Sequence, residues 1–195
     1  MKTFSIFRLT GRLLLVGAGL LVLFQTAYSQ TPAKRKLMAD RSKSTITYAM
    51  SHPMHSFEGV SHDVACVMVM DEAGKIESVA AVAKVSSFDS QNANRDSHAL
   101  ETLEALKYPK VTFAANDVQQ QGNNLIIKGN LTFHGVTKPV VIQGTRQDEN
   151  GQTTVRGDFQ IRLSDYKVER PSLMMVPVNE EVKLTFNMVF RTTAS

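Results

Sequence analysis

Five histidines in a 195-residue chain are its first candidates for chemistry, because most stand in short polar clusters. His52-Pro53-Met54-His55 sets two imidazoles three residues apart, and Arg95-Asp96-Ser97-His98 places another beside a guanidinium and a carboxylate. His134 precedes Gly135, and His62 precedes Asp63. Neutral imidazoles converging from separate segments would suit zinc, copper or a haem iron. That defines one function class, an exported histidine-rich metal- or haem-associated redox protein. Hydrogen-bonded structural histidines are the competing reading, and no metal ligand set is assigned. The Arg95 cluster divides the same way. Either Asp96 or Ser97 caps a helix while Arg95 pairs with a carboxylate or with loop carbonyls, or Arg95, His98 and His134, with His52 and His55, form the polar mouth of a cavity. Such a mouth would hydrogen-bond a head such as a quinone oxygen or a phosphate.

Catalysis finds little support. The chain has no Gly-x-Ser-x-Gly elbow, Gly-rich phosphate loop or His-Glu-x-x-His helix. Its only cysteine, Cys66, sits in the apolar run Val64 to Met70 with no cation beside it, which marks a small buried hydrophobe rather than a nucleophile. The expectation is a binding protein, not an enzyme, with no cofactor.

The elements that must position these residues repeat with period two. Val155, Gly157, Phe159, Ile161 and Leu163 alternate with polar neighbours, as do Val182, Leu184, Phe186, Met188 and Phe190, and Leu125, Ile127, Leu131 and Phe133 make a third such set. Gly129 interrupts the third where a bend or bulge would sit. Turn clusters at 71–74, 121–124 and 148–151 separate strand-like runs. About eight strands are expected, near 44–52, 60–70, 75–87, 110–118, 123–134, 137–147, 152–164 and 180–192. One helix is expected, with Leu100, Leu103 and Leu106 as its stripe and Tyr108-Pro109 as its stop. Consecutive antiparallel strands with one short helix imply an all-β up-and-down barrel or a sandwich. An eight-stranded barrel has room for side chains or one small ligand. Tyr48, Met50, Met68, Phe113, Leu131, Phe133, Phe159, Leu163, Phe186 and Met188 fall on the apolar phase. They either fill a core or line a pocket, and alternation alone does not separate the two. A buried alkyl chain would gain on the order of 0.8 kcal/mol per methylene-sized group.

Lys2, Arg8 and Arg12 precede an uncharged run from Leu13 to Phe24 and then Ala27-Tyr28-Ser29, the pattern of a cleaved secretory signal. The run is shorter than the roughly 20 residues of a membrane span. Residues 1–29 are therefore read as a signal peptide, 30–43 as a polar flexible lead-in and 44–192 as one barrel domain, periplasmic or secreted after cleavage. The three signal cations account for three of the formal charges in the net +4, leaving +1, so nothing favours nucleic acid. One cysteine excludes an internal disulfide, and stability must come from the core of about 165 residues.

Two motifs extend this reading. Gly129-Asn130-Leu131-Thr132-Phe133-His134-Gly135-Val136-Thr137-Lys138-Pro139-Val140 resembles the hallmark strand pair of the YceI-like family, and Asn94-Arg95-Asp96-Ser97-His98 followed by Tyr108-Pro109-Lys110-Val111-Thr112-Phe113 resembles that family's Arg-Asp-x-His helix and next strand. His52 and Gly59 fit the family's first turn, Pro53 and His55 depart from it, and Glu169 to Pro177 replaces a usual Asp-Phe-Gly-like loop. Within that replacement, Leu173, Met174 and Met175 form an apolar lid or a packed crossover. The resemblance implies a lipocalin-like barrel that sequesters or transports an isoprenoid-type lipid, a quinone among the candidates. The small-molecule lipid is then the partner, with transient membrane contact and a homodimer left open.

Overall fold

The computed structural model describes residues 33–173 and 175–192; the expected signal segment lies outside them. The elements run β1 (Arg35–Met38), β2 (Thr45–His52), β3 (His55–Ser61), β4 (Val64–Met70), β5 (Ile76–Lys84), β6 (Phe88–Asp89), α1 (Ala93–Thr102), β7 (Lys110–Gln121), β8 (Asn124–Phe133), β9 (Val136–Glu149), β10 (Gln152–Arg162), β11 (Ser172–Leu173), β12 (Val176–Pro177) and β13 (Glu181–Arg191). Eleven strands share one antiparallel sheet in the order β1-β4-β5-β7-β8-β9-β10-β13-β2-β3-β6. As the sheet curls, Ala39 just past β1 bridges Phe190 of β13. At the other end β6, reached from β5 through one turn of 3-10 helix, pairs with β3. The result is a lipocalin-like antiparallel barrel, with eleven strands in its sheet where about eight were expected.

The strongest alternation gives the longest pairing. β10 and β13 match along their whole length, with Val155 opposite Met188, Phe159 opposite Leu184 and Ile161 opposite Val182, so both apolar sets face inward. Turn chemistry fixes the neighbouring registers. Asn150 and Gly151 take φ of 50° and 70° between β9 and β10, the left-handed pair of a two-residue hairpin that favours Asn-Gly. His134 and Gly135 do the same between β8 and β9, at 49° and 73°.

Three expectations need correction. The strand placed at 60–70 is two strands, because Asp63 donates its N–H to Ser61 Oγ at 3.2 Å and this local turn breaks the ladder; β3 starts earlier, at His55. The lead-in also contains a strand: β1 pairs with β4, Leu37 packs on the core, and Lys34 meets Glu77 at 2.8 Å. The helix is shorter and capped differently. Asn92, not Asp96 or Ser97, is the N-cap, its side chain accepting the Arg95 N–H at 3.1 Å. Glu104 at φ 44° ends the helix in the left-handed conformation common after helix termini, before Pro109 is reached.

Candidate functional site

Alternating inward side chains enclose a cavity of about 720 Å³, within the roughly 300–1,000 Å³ of small-molecule sites. Tyr48 and Met50 of β2, Met68 of β4, Phe113 of β7, Leu131 and Phe133 of β8, Phe159 of β10, Leu163 just after it, and Phe186 and Met188 of β13 all line it. Two buried apolar clusters make its wall. One gives Met68, Ile76, Ile127, Met188 and Phe190; the other gives Leu131, Phe133, Ile161, Val178 and Val182. Phe113, Val140 and Phe159 pack against both, so the clusters form a continuous wall around a hollow. Cys66 is part of that wall, and burial pushes its thiol up to about 12, which keeps it protonated and unreactive.

One end of the hollow is polar. α1 supplies Asn94, Arg95, Asp96 and His98 to the lining, and its apolar Leu100, with Leu103 just past its end, lines the same space. Arg95 donates from Nε to Ser90 Oγ at 2.8 Å and from Nη2 to the Ser90 carbonyl at 2.6 Å. The Ser90 hydroxyl donates in turn to Asp96 Oδ1 at 2.5 Å. The guanidinium also lies 4.8 Å above the Phe57 ring, a cation–π contact. Tyr48 adjoins this cluster, and its hydroxyl is raised above 10.0 by burial and by the Asp96 carboxylate, with Arg95 opposing.

His52 and His55 line the mouth from the β2–β3 turn. His52 is buried, with Nδ1 accepting the Met54 N–H at 3.2 Å and Nε2 lying 3.1 Å from the Val176 carbonyl. An acceptor Nδ1 places the proton on Nε2, which donates to Val176. That bond ties the β2–β3 turn to the β11–β12 hairpin. His98 touches the cavity from its outer lip, with a side chain 78 % exposed and Nδ1 3.8 Å from Glu101.

His134, expected at the mouth, does not line the cavity. Its left-handed turn conformation sends the ring against Tyr108, centroids 4.5 Å apart, with Nδ1 3.1 Å from the Tyr166 carbonyl and Nε2 3.1 Å from Glu104 Oε2. The histidines are thus spread over distinct environments, and among the described residues no group of three or more His, Cys, Asp or Glu is placed to hold a metal. The segment considered as an apolar lid is a two-stranded hairpin, Ser172–Leu173 with Val176–Pro177, whose Met175 is 97 % exposed; Met174 lies outside the described residues. Ser90 and Phe57 were missed by sequence reading. Phe57 follows the β3 alternation, while nothing local marks Ser90 as the hub between Arg95 and Asp96.

Comparison with known proteins agrees with this architecture. Residues 37–190 match the model of the YceI-like domain. The protein YceI of Salmonella newport is 28 % identical over 184 residues, spanning 89 % of this chain and 95 % of that protein. Among solved structures, Burkholderia cenocepacia BcnA superposes with a TM-score of 0.71 at 23 % identity, over 77 % of this chain and 98 % of its own. A polyisoprenoid binding domain from Saccharophagus degradans, implicated in plant cell wall breakdown, gives 0.62 at 15 % identity, over 84 % and 100 %. At such identities these two likenesses speak to the fold. The matched segment runs from within β1 almost to the end of β13, the whole barrel, and the chain accordingly belongs to the YceI-like family.

Proposed function

We infer that this protein is an exported, non-enzymatic carrier that holds an isoprenoid-type lipid in its barrel. The observation that carries the reading is the apolar cavity of about 720 Å³ with polar groups gathered at one end. At roughly 30 Å³ per water-sized group, that space takes on the order of two dozen non-hydrogen atoms, a prenyl chain of about five isoprene units. Burial of that chain needs no hydrogen bond to be favourable. The kinship with a structure described as a polyisoprenoid binding domain supports the same ligand class.

The mouth favours an uncharged head such as a quinone over a phosphate. Two donor nitrogens of Arg95 are already engaged by Ser90, and Asp96 on the far side of the same hydroxyl balances its charge. Met54 and Met175, both largely exposed, flank the turn and hairpin that His52 joins, which supports transient contact with a membrane during loading. Export rests on the amino-terminal pattern of residues 1–29. Extraction of the purified protein into organic solvent followed by mass spectrometry tests the ligand class. A stoichiometric prenyl lipid is expected, and repeated recovery of an empty barrel that takes up none contradicts the reading. Cell fractionation tests export, with the shortened mature chain expected outside the cytoplasm.

A further inference from the structure

Three rings in the cavity wall lie across glycines of the adjacent strand. Tyr48 on β2 is the direct partner of Gly59 on β3, and Phe186 on β13 is the direct partner of Gly157 on β10. Phe113 on β7 stands diagonal to Gly129 on β8, whose partner is Ala115. Residues paired across a ladder share a face, so a Cβ at any of these glycines would project into the lumen beneath the ring. It would overlap Tyr48 Cε1, and would stand 2.6 Å from Phe113 Cζ and 2.8 Å from Phe186 Cζ. Carbon atoms pack no closer than about 3.5 Å without repulsion. The missing side chains therefore let the rings lie against the wall and leave the space beside them open.

We propose that Gly59, Gly129 and Gly157 set the bore of the cavity and, on the lipid-carrier reading above, the longest prenyl chain the protein accepts. The three positions are not equivalent. At Gly129 and Gly157 a Cβ would also lie 2.5 Å from a backbone carbonyl, of Ala114 and of Gln143, so the ladder itself excludes a side chain there. At Gly59 the nearest atoms all belong to the Tyr48 ring. Gly59 thus isolates the effect of the ring, which lines the cavity and must shift if a Cβ is added there.

The test compares the parent with Gly59→Ala, Tyr48→Ala and the double variant by two readouts. Crystal structures without added lipid give the cavity volume and the ring orientation. Native mass spectrometry with linear prenyl alcohols of graded length gives the chain-length profile. In Gly59→Ala the Tyr48 ring turns inward, the cavity shrinks, and affinity for the longest alcohol held by the parent falls about tenfold, the loss of roughly two buried methylene-sized groups. Short alcohols bind as before, and the double variant regains the long ones. A Gly59→Ala protein with the ring still against the wall and an unchanged volume overturns the proposal. Should that variant fail to fold, Tyr48→Ala decides: a longer accepted chain supports the proposal and an unaltered profile overturns it. A parent that takes up no prenyl alcohol overturns the lipid reading and the chain-length clause with it, and the cavity volumes still decide the bore.

Discussion

His52 hydrogen-bonds Val176 beside the cavity mouth, Nε2 to carbonyl oxygen at 3.1 Å, although the two residues lie 124 positions apart. The same ring accepts the Met54 N–H, so one buried imidazole satisfies a donor of the β2–β3 turn and an acceptor of the β11–β12 hairpin. Replacing it leaves both without that partner. His52→Ala is expected to lower stability by about 1–3 kcal/mol, seen as a reduced denaturant midpoint with an unchanged slope. Amide exchange should quicken at Met54 and at Asn179, whose N–H reaches the Ser51 carbonyl at 2.8 Å.

The helix that carries Arg95 depends on its cap. Asn92→Ala removes the acceptor of the Arg95 N–H and is expected to cost about 0.5–2 kcal/mol, whereas Asn92→Asp keeps the cap and is expected to cost little. Thermal unfolding of the two variants checks the difference. Equal losses would place the stability of α1 elsewhere.

Glu180 supplies an acid-sensitive contact. Arg162 Nη2 donates to its Oε2 at 2.6 Å and the Ser164 hydroxyl donates to Oε1; the Arg162 bond, then the Ser164 bond, hold the carboxyl down at about 2 against an ordinary 4.5. A folded value below the unfolded one means the contact stabilises fully above 4.5 and is lost as pH falls toward 2. The Tm of the parent should therefore exceed that of Glu180→Gln at neutral pH, and the gap should close across that acid window. A gap independent of pH would contradict this assignment.

Cys66 behaves in the opposite sense. Its buried thiol, at about 12, ionises less readily than in the unfolded chain, so its contribution is complete below the ordinary thiol value of 9.0 and declines as pH rises toward 12. At neutral pH iodoacetamide should leave the native protein unmodified and label the guanidinium-unfolded chain completely. Rapid native labelling would mean that the cavity wall opens.

Much of the barrel was legible because one face of each long strand is buried. β10 and β13 show this best, since a slip of one residue would turn Phe159 and Phe186 outward. β1 was not legible, since Arg35-Lys36-Leu37-Met38 offers a single apolar pair too short to show a period, and pairing with β4 supplies what propensity does not. The cap was misplaced because Asn92, Asp96 and Ser97 are all suitable cap residues and only backbone geometry separates them. Phase alone gave the inward-facing side chains, but not that they line a hollow rather than fill it, and the mouth was not legible either. The positive φ of His134 turns its ring away from the cavity, and the partnership of Ser90 with Arg95 depends on how α1 docks.

On the proposed function the hollow accepts a prenyl lipid. Native mass spectrometry of the mature protein, stripped of lipid and titrated with a prenyl quinone, tests it most directly. Saturable uptake of one lipid per barrel is expected, abolished when a charge is placed in the wall by Phe159→Glu in a protein that remains folded. Uptake that never saturates, or that survives Phe159→Glu undiminished, would contradict it.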